Sequence, residues 1–314
     1  MKLANPFGFR TTFDFNSKIF WYPPHQAKAL MQLKNGIHHI DLVVEVRDAR
    51  IPLTCLNSVV LNRKKLVVYN KVDLANPQLL PALKDYLKKY RQEDVIFTKA
   101  NEGFNVKGIL KFPYLSVVVV GAPNVGKSTL INQLRNLGMK KKKVTQVGPK
   151  AGVTRMIQTR VKIHPDPPIY LTDTPGIFNP IVSTPIECLK IALTGGTNDS
   201  LTTKINVADY LLFRLNNSKN YKYYCQLLNM EPTDNIHDIL LQICKKYEFK
   251  VDENTRINRL LDEKDYDMDK AAELLIELYR KGQLGRMTLD DCSKEGLDDF
   301  FQNNQPDNLL YNEI

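Results

Sequence analysis

Four residues in a fixed frame, Gly121, Gly126, Lys127 and Ser128, carry the chemistry needed to hold a nucleoside polyphosphate. In the run GAPNVGKST the two glycines permit a tight loop whose backbone N–H groups point inward at phosphate oxygens. Lys127 can then reach the β- and γ-phosphates and Ser128 can ligate Mg²⁺, with Val125 and Thr129 inside the same cradle. Such a loop needs a strand before it and a helix after it. The residues supply both. Val117, Val118, Val119 and Val120 form a β-branched run suited to a buried parallel strand, and Ser128, Thr129, Leu130 and Ile131 open a helix.

A second set of polar residues could read a base. In NKVD the Asp73 carboxylate can accept from guanine N1–H and from its 2-amino group, donors that adenine does not offer in that arrangement. Asn70 and the aliphatic stem of Lys71 frame the ring. A carboxylate left unpaired by the wrong base rejects it by roughly 10⁴-fold or more, so the motif favours GTP over ATP. Downstream, Thr98 and Ala100 end another apolar run, Val95 to Phe97, and their backbone is expected to meet guanine O6. Two more segments complete a phosphate-sensing set. Thr154, in AGVTR, stands where a Mg²⁺-sensing switch would lie. Asp173 and Gly176, in DTPG, are expected to hold Mg²⁺ through water and to touch the γ-phosphate through a backbone N–H.

These residues require an α/β scaffold. Apolar runs at 40–46, 65–69, 95–97, 117–120 and 169–172 alternate with helical stretches such as residues 79–90, as in a doubly wound, mainly parallel sheet that binds ligands at the carboxyl ends of its strands. The motif order is unusual. NKVD precedes the phosphate loop, whereas in a Ras-like enzyme the base-reading motif follows DxxG, and no second NKxD follows Gly176. The order implies a circularly permuted domain, since a fold whose ends lie close together at the surface can be re-cut without loss of its core. The chain then divides into an N-terminal arm (1–20), a nucleotide domain (21–183), a smaller helical domain (184–290) and an acidic flexible tail (291–314). The helical domain is carried by periodic apolar stretches at 208–215, 236–246 and 269–281. Because DTPG runs on into it, nucleotide state is expected to reach it directly.

Charge and composition narrow the partners. A net charge of +10 over 314 residues suggests a polyanion, and residues 135–162 hold nine basic side chains and no acid, with Lys140 to Lys143 consecutive. RNA is the expected contact, although a solvated basic loop would look the same. Five widely spaced cysteines without a CxxC pair fit reduced, buried thiols rather than zinc or disulfides. No apolar run approaches the length that crosses a bilayer. Residues 1–20, with Lys2, Arg10 and Lys18 against Asp14 and five phenylalanines, suit either a mitochondrial transit segment or a docked arm. His25 follows Pro23 and Pro24 at a helix start, where capping or packing would be its plain role.

Taken together, WYPPHQAK at 21–28, DARIPL at 48–53, NKVD, GAPNVGKST, GVTR, DTPG and RKGQLGRMTL at 280–289 resemble the circularly permuted GTPases of ribosome assembly over residues 21–289. The resemblance implies a circularly permuted P-loop GTPase domain followed by a helical, RNA-contacting domain. It implies GTP/GDP and Mg²⁺ as ligands, with K⁺ held in part by Asn124, and a catalytic part for His25, because Ile177 stands where Ras-like enzymes place a water-orienting glutamine. Pro24, Gln26 and Cys55-Leu56 depart from the family pattern, the first two beside His25 itself. The function expected is a GTPase, slow alone and stimulated by its target, that binds rRNA and the large ribosomal subunit. It is expected to be a monomer in the mitochondrial matrix, with peripheral association with the inner membrane or a cytoplasmic location as the alternatives. An RNA-binding scaffold using GTP as a structural ligand, and a signalling GTPase, are the competing functions.

Overall fold

A computed structural model describes residues 7–15, 40–57, 64–111, 116–139, 160–166, 168–174, 176, 184–197, 202–251 and 266–303. His25, the lysine run at 140–143, Thr154 and Ile177 lie outside the described residues. The chain forms two compact units, Phe20–Asn198 with Arg286–Ile314, and Met1–Ile19 with Asp199–Gly285.

The first unit is built on a six-stranded sheet of β1 (Leu42–Asp48), β2 (Lys65–Asn70), β3 (Asp94–Phe97), β4 (Ser116–Val120), β5 (Val161–Pro165) and β6 (Pro168–Asp173), in the order β3-β2-β1-β4-β6-β5. All neighbours are parallel except β5 and β6. Every residue of β1, β2 and β4 is buried, as expected of central strands covered on both faces, so the apolar runs read from the sequence lie at the middle of the sheet. β1 also carries Arg47 and Asp48, beyond the apolar run at 40–46, because a buried ion network accommodates them. The Arg47 guanidinium forks onto Glu45 at 2.9 Å through two nitrogens and reaches the Tyr69 hydroxyl at 2.9 Å. Burial would push the Glu45 carboxyl up, yet Arg47 and Lys65 hold it down at about 2. β5 begins at the end of the basic stretch and has no sequence signal, since VKIHP has neither a continuous apolar run nor a clean alternation.

Three helices of this unit are α1 (Leu79–Arg91), α2 (Lys127–Met139) and α3 (Pro185–Leu193). α3 opens with a capping box in which the Thr184 hydroxyl accepts from the Glu187 amide and the Glu187 carboxylate accepts from the Thr184 amide. The expected boundary at residue 184 therefore falls too early, because α3 groups with the sheet. The tail expected at 291–314 is also corrected in part. The chain returns to the sheet unit after Gly285, and a further helix covers Lys294–Asn303. Its acidic composition masks an apolar stripe. Leu297 and Phe301 are buried in a cluster with Leu53, Tyr69, Leu83 and Leu87, and the Tyr86 hydroxyl donates to Asp298 at 2.7 Å.

In the second unit, α4 (Lys204–Asn217), α5 (Tyr221–Leu228), α6 (Ile236–Tyr247) and α7 (Met268–Arg280) pack their apolar faces together, and the Lys294–Asn303 helix of the sheet unit is α8 in chain order. Residues 7–15 dock here. Phe9 is buried, Phe13 meets Tyr210 edge-on at 5.3 Å, and the Arg10 guanidinium grips Asp209 at 2.7 Å and Asp234 at 3.2 Å. All five cysteines are free thiols, four of them buried. Among the described residues no helix is long and apolar enough to cross a membrane.

Candidate functional site

The carboxyl ends of β1, β2, β4 and β6 meet the loops that the sequence singled out. β4 runs into Gly121 and the loop closes at Gly126, both with positive φ, 149° and 100°. Neither position has room for a side chain. A β-carbon at Gly121 would lie 2.2 Å from the Val46 carbonyl oxygen, and one at Gly126 would lie 2.3 Å from the Asn70 amide nitrogen.

Asn70, the last residue of β2, is the hub. Its Nδ2 donates to the Val125 carbonyl at 2.9 Å, while its Oδ1 accepts from the Thr98 hydroxyl at 3.2 Å and from the Ala100 amide at 2.9 Å. One buried side chain thus ties the NKVD loop, the Thr98 to Ala100 loop and the phosphate-loop backbone into one body. The Thr98, Lys99 and Ala100 amides are engaged by Tyr69 O, Phe104 O and Asn70 Oδ1. Lys71 makes a second link. Its Nζ donates to Asn124 O at 2.6 Å and pairs with Asp48 Oδ2 at 3.0 Å. Its stem therefore lies between the base loop and the phosphate loop, and Asp73 sits two residues further on, partly exposed.

On the phosphate side, Lys127 is buried and its Nζ donates to the carbonyls of Gly121 at 3.0 Å and Ala122 at 2.8 Å. Burial lowers its pKa to about 8, with the Asp173 charge opposing. Ser128 Oγ donates to Asp173 Oδ2 at 3.0 Å, and burial raises the Asp173 carboxyl above its usual range. The other oxygen, Asp173 Oδ1, is buried with no hydrogen-bond partner. A hydroxyl and a half-satisfied carboxylate side by side are the donor set a hard divalent cation takes, so these residues fit Mg²⁺. The Thr174 hydroxyl donates to Val119 O at 2.7 Å and anchors the loop after β6. A β-carbon on Gly176 would lie 2.6 Å from Pro123 Cα, which places DTPG directly against the phosphate loop.

Other residues reach the site from motifs whose chemistry the sequence did not disclose. Asp48 takes the Arg50 guanidinium at 2.8 and 2.9 Å, and Arg50 also donates to Thr194 O at 3.3 Å. Asn124, with φ 57°, donates through Nδ2 to Gly195 O at 2.6 Å. The residues after α3 are thereby fastened to DARIPL and to the phosphate loop. The DARIPL motif was visible in the sequence, but nothing in its spacing said what it would grip.

Residues 116–246 match the family described as 50S ribosome-binding GTPase. NKVD lies upstream of that match, as a permuted order requires. The chain is 32% identical to mitochondrial ribosome-associated GTPase 1 of Xenopus tropicalis over 310 residues, covering 90% of this chain and 98% of the relative. It is also 32% identical to mitochondrial GTPase 1 of Schizosaccharomyces pombe over 323 residues, covering 92% and 94%. Among solved structures, GNP-bound YlqF from T. maritima superposes with a TM-score of 0.57 over 85% of this chain and 99% of that one at 22% identity, which shows the fold. The chain belongs to the family of mitochondrial ribosome-associated GTPase 1 and mitochondrial GTPase 1, and it is a circularly permuted, guanine-nucleotide-binding GTPase.

Proposed function

We propose that this GTPase acts in mitochondria on the large ribosomal subunit during its assembly, contacts rRNA, and uses nucleotide state to set its association and release. The observation that carries the nucleotide part is the Asn70 hub, which joins the base-reading and phosphate-binding loops. The ribosomal and mitochondrial parts are supported by the names of the relatives and by the basic charge of the chain.

The chemistry follows from the residues. Asp73 accepts from the guanine edge, with the stem of Lys71 along the ring. With phosphates present, Lys127 exchanges the Gly121 and Ala122 carbonyls for β- and γ-oxygens that offer full charge. Ser128 and Asp173 would hold Mg²⁺, which would supply charge neutralisation at the phosphate oxygens. The Gly176 amide, beside Pro123, touches the γ-phosphate, and loss of that contact on hydrolysis frees the segment leading to α3. Thr154 is the second switch residue, and His25 orients or activates the attacking water that Ile177 cannot. K⁺ would be held in part by Asn124.

GTP turnover with and without large mitochondrial subunits tests the reading. Lys127→Ala and Ser128→Ala are expected to abolish turnover with the fold intact. His25→Ala is expected to retain nucleotide and subunit binding but to lose most of the subunit-stimulated rate. Turnover retained within a few-fold in the first two variants, or an unaltered stimulation factor in the third, would contradict the assigned roles.

A further inference from the structure

Lys99, between Thr98 and Ala100, has no role in the scheme above, yet it sits on the base-reading carboxylate. Its Nζ lies 3.4 Å from Asp73 Oδ2 and 2.5 Å from Glu102 Oε1. The backbone that presents it is held on both sides, since Lys99 N donates to Phe104 O at 3.3 Å and Phe104 N donates to Lys99 O at 3.1 Å. The next residue, Ala100, is fixed to the Asn70 hub at 2.9 Å. A cation on a pinned backbone thus contacts one oxygen of Asp73 and one of Glu102.

We propose that Lys99 is a positioning residue for guanine selectivity, holding the Asp73 carboxylate in the orientation that accepts two parallel N–H bonds from a 2-amino-6-oxopurine. The proposal rests on Asp73 as the base reader. Each carboxylate oxygen has two acceptor sites, so Oδ2 can keep Lys99 while it accepts from the base. Without Lys99 the carboxylate rotates about its terminal torsion, which is broad for Asp, and two-point recognition loses its pre-set plane. A base presenting one donor is less sensitive to that rotation. Inosine, which lacks the 2-amino group, is such a base.

The test measures dissociation constants for GDP and IDP in the full chain, with melting temperatures, for the unmodified protein and for Lys99→Ala, Lys99→Met, Lys99→Arg and Asp73→Asn. Loss of Lys99 is expected to weaken GDP by about three- to fivefold, the range for a partly exposed ion pair, and IDP by less than about twofold. The GDP preference therefore shrinks in Lys99→Ala and Lys99→Met and returns in Lys99→Arg. Equal weakening of both nucleotides, or an unchanged preference while Asp73→Asn abolishes it, would overturn the role of Lys99 and leave Asp73 as the reader. An unchanged preference in Asp73→Asn would overturn the base reading, and with it anything for Lys99 to position.

Discussion

At the scale of single residues, the side chains of the site hold one another through short polar contacts. Lys127 shows this best. Buried, and donating only to neutral carbonyls, it has a pKa near 8 rather than the usual value above 10. Phosphates stabilise the charged form and raise that pKa, so nucleotide binding takes up a proton wherever the free protein has Lys127 neutral. The sign is fixed by this. Affinity is greatest below pH 8 and falls as pH rises above it, by up to about tenfold per unit until the bound-state pKa is reached. Calorimetry of GDP binding in buffers of different ionisation enthalpy is expected to show proton uptake at pH 8.5 to 9 that disappears in Lys127→Met, and uptake that persists in that variant would assign the proton elsewhere. Lys127, Ser128, Asp73 and Asp173 were legible as candidates because phosphate, metal and base each demand particular atoms at short sequence spacing. Asn70 as a hub was not, since its partners Val125, Thr98 and Ala100 are 55, 28 and 30 residues away and only the parallel register brings them together.

At the scale of elements, the strands and most helices followed from hydrophobic runs and periodicity, because central parallel strands are buried on both faces and amphipathic helices on one. The misses have physical reasons. β5 is half-exposed and paired on one side only, and the helix at Lys294–Asn303 hides two buried aliphatic or aromatic side chains among acids. What returns that helix to the sheet is Asp290. Its carboxylate accepts from the Leu53 amide at 2.7 Å, the Thr54 amide at 2.9 Å, the Thr54 hydroxyl at 2.6 Å and Lys190 Nζ at 2.9 Å. DARIPL, α3 and the segment after Gly285 are thus clasped by one buried anion, whose pKa would be raised by burial but is held low by Lys190 and Thr54. Removing a buried, fully bonded partner strands the others, at a cost of about 3–5 kcal/mol. Asp290→Ala is expected to lower the melting temperature by many degrees and to loosen Lys294–Asn303 in hydrogen exchange. A variant as stable as the parent would show that the clasp is incidental.

At the scale of the whole molecule, the permutation decides how the site can be used. In the unpermuted order the chain after DxxG re-enters the sheet toward the base-reading motif. Here it passes through α3 to Thr194 and Gly195, which Arg50 and Asn124 hold, and then into the helical unit. It comes back through Met287, whose amide donates to Leu74 O, the residue after Asp73, and through Leu289, whose amide donates to Arg50 O. The segments beside the crossings at 198/199 and 285/286 are therefore hydrogen-bonded next to nucleotide motifs. The exit was legible from motif order, whereas the return was not, because a run such as RMTLDD carries no periodicity. The account stands or falls on nucleotide-dependent binding to the ribosome. Sedimentation of the tagged full chain with mitochondrial large subunits measures it directly. Co-migration with a non-hydrolysable GTP analogue and release with GDP is the expected result, and no co-migration in either state, or equal co-migration in both, would contradict it.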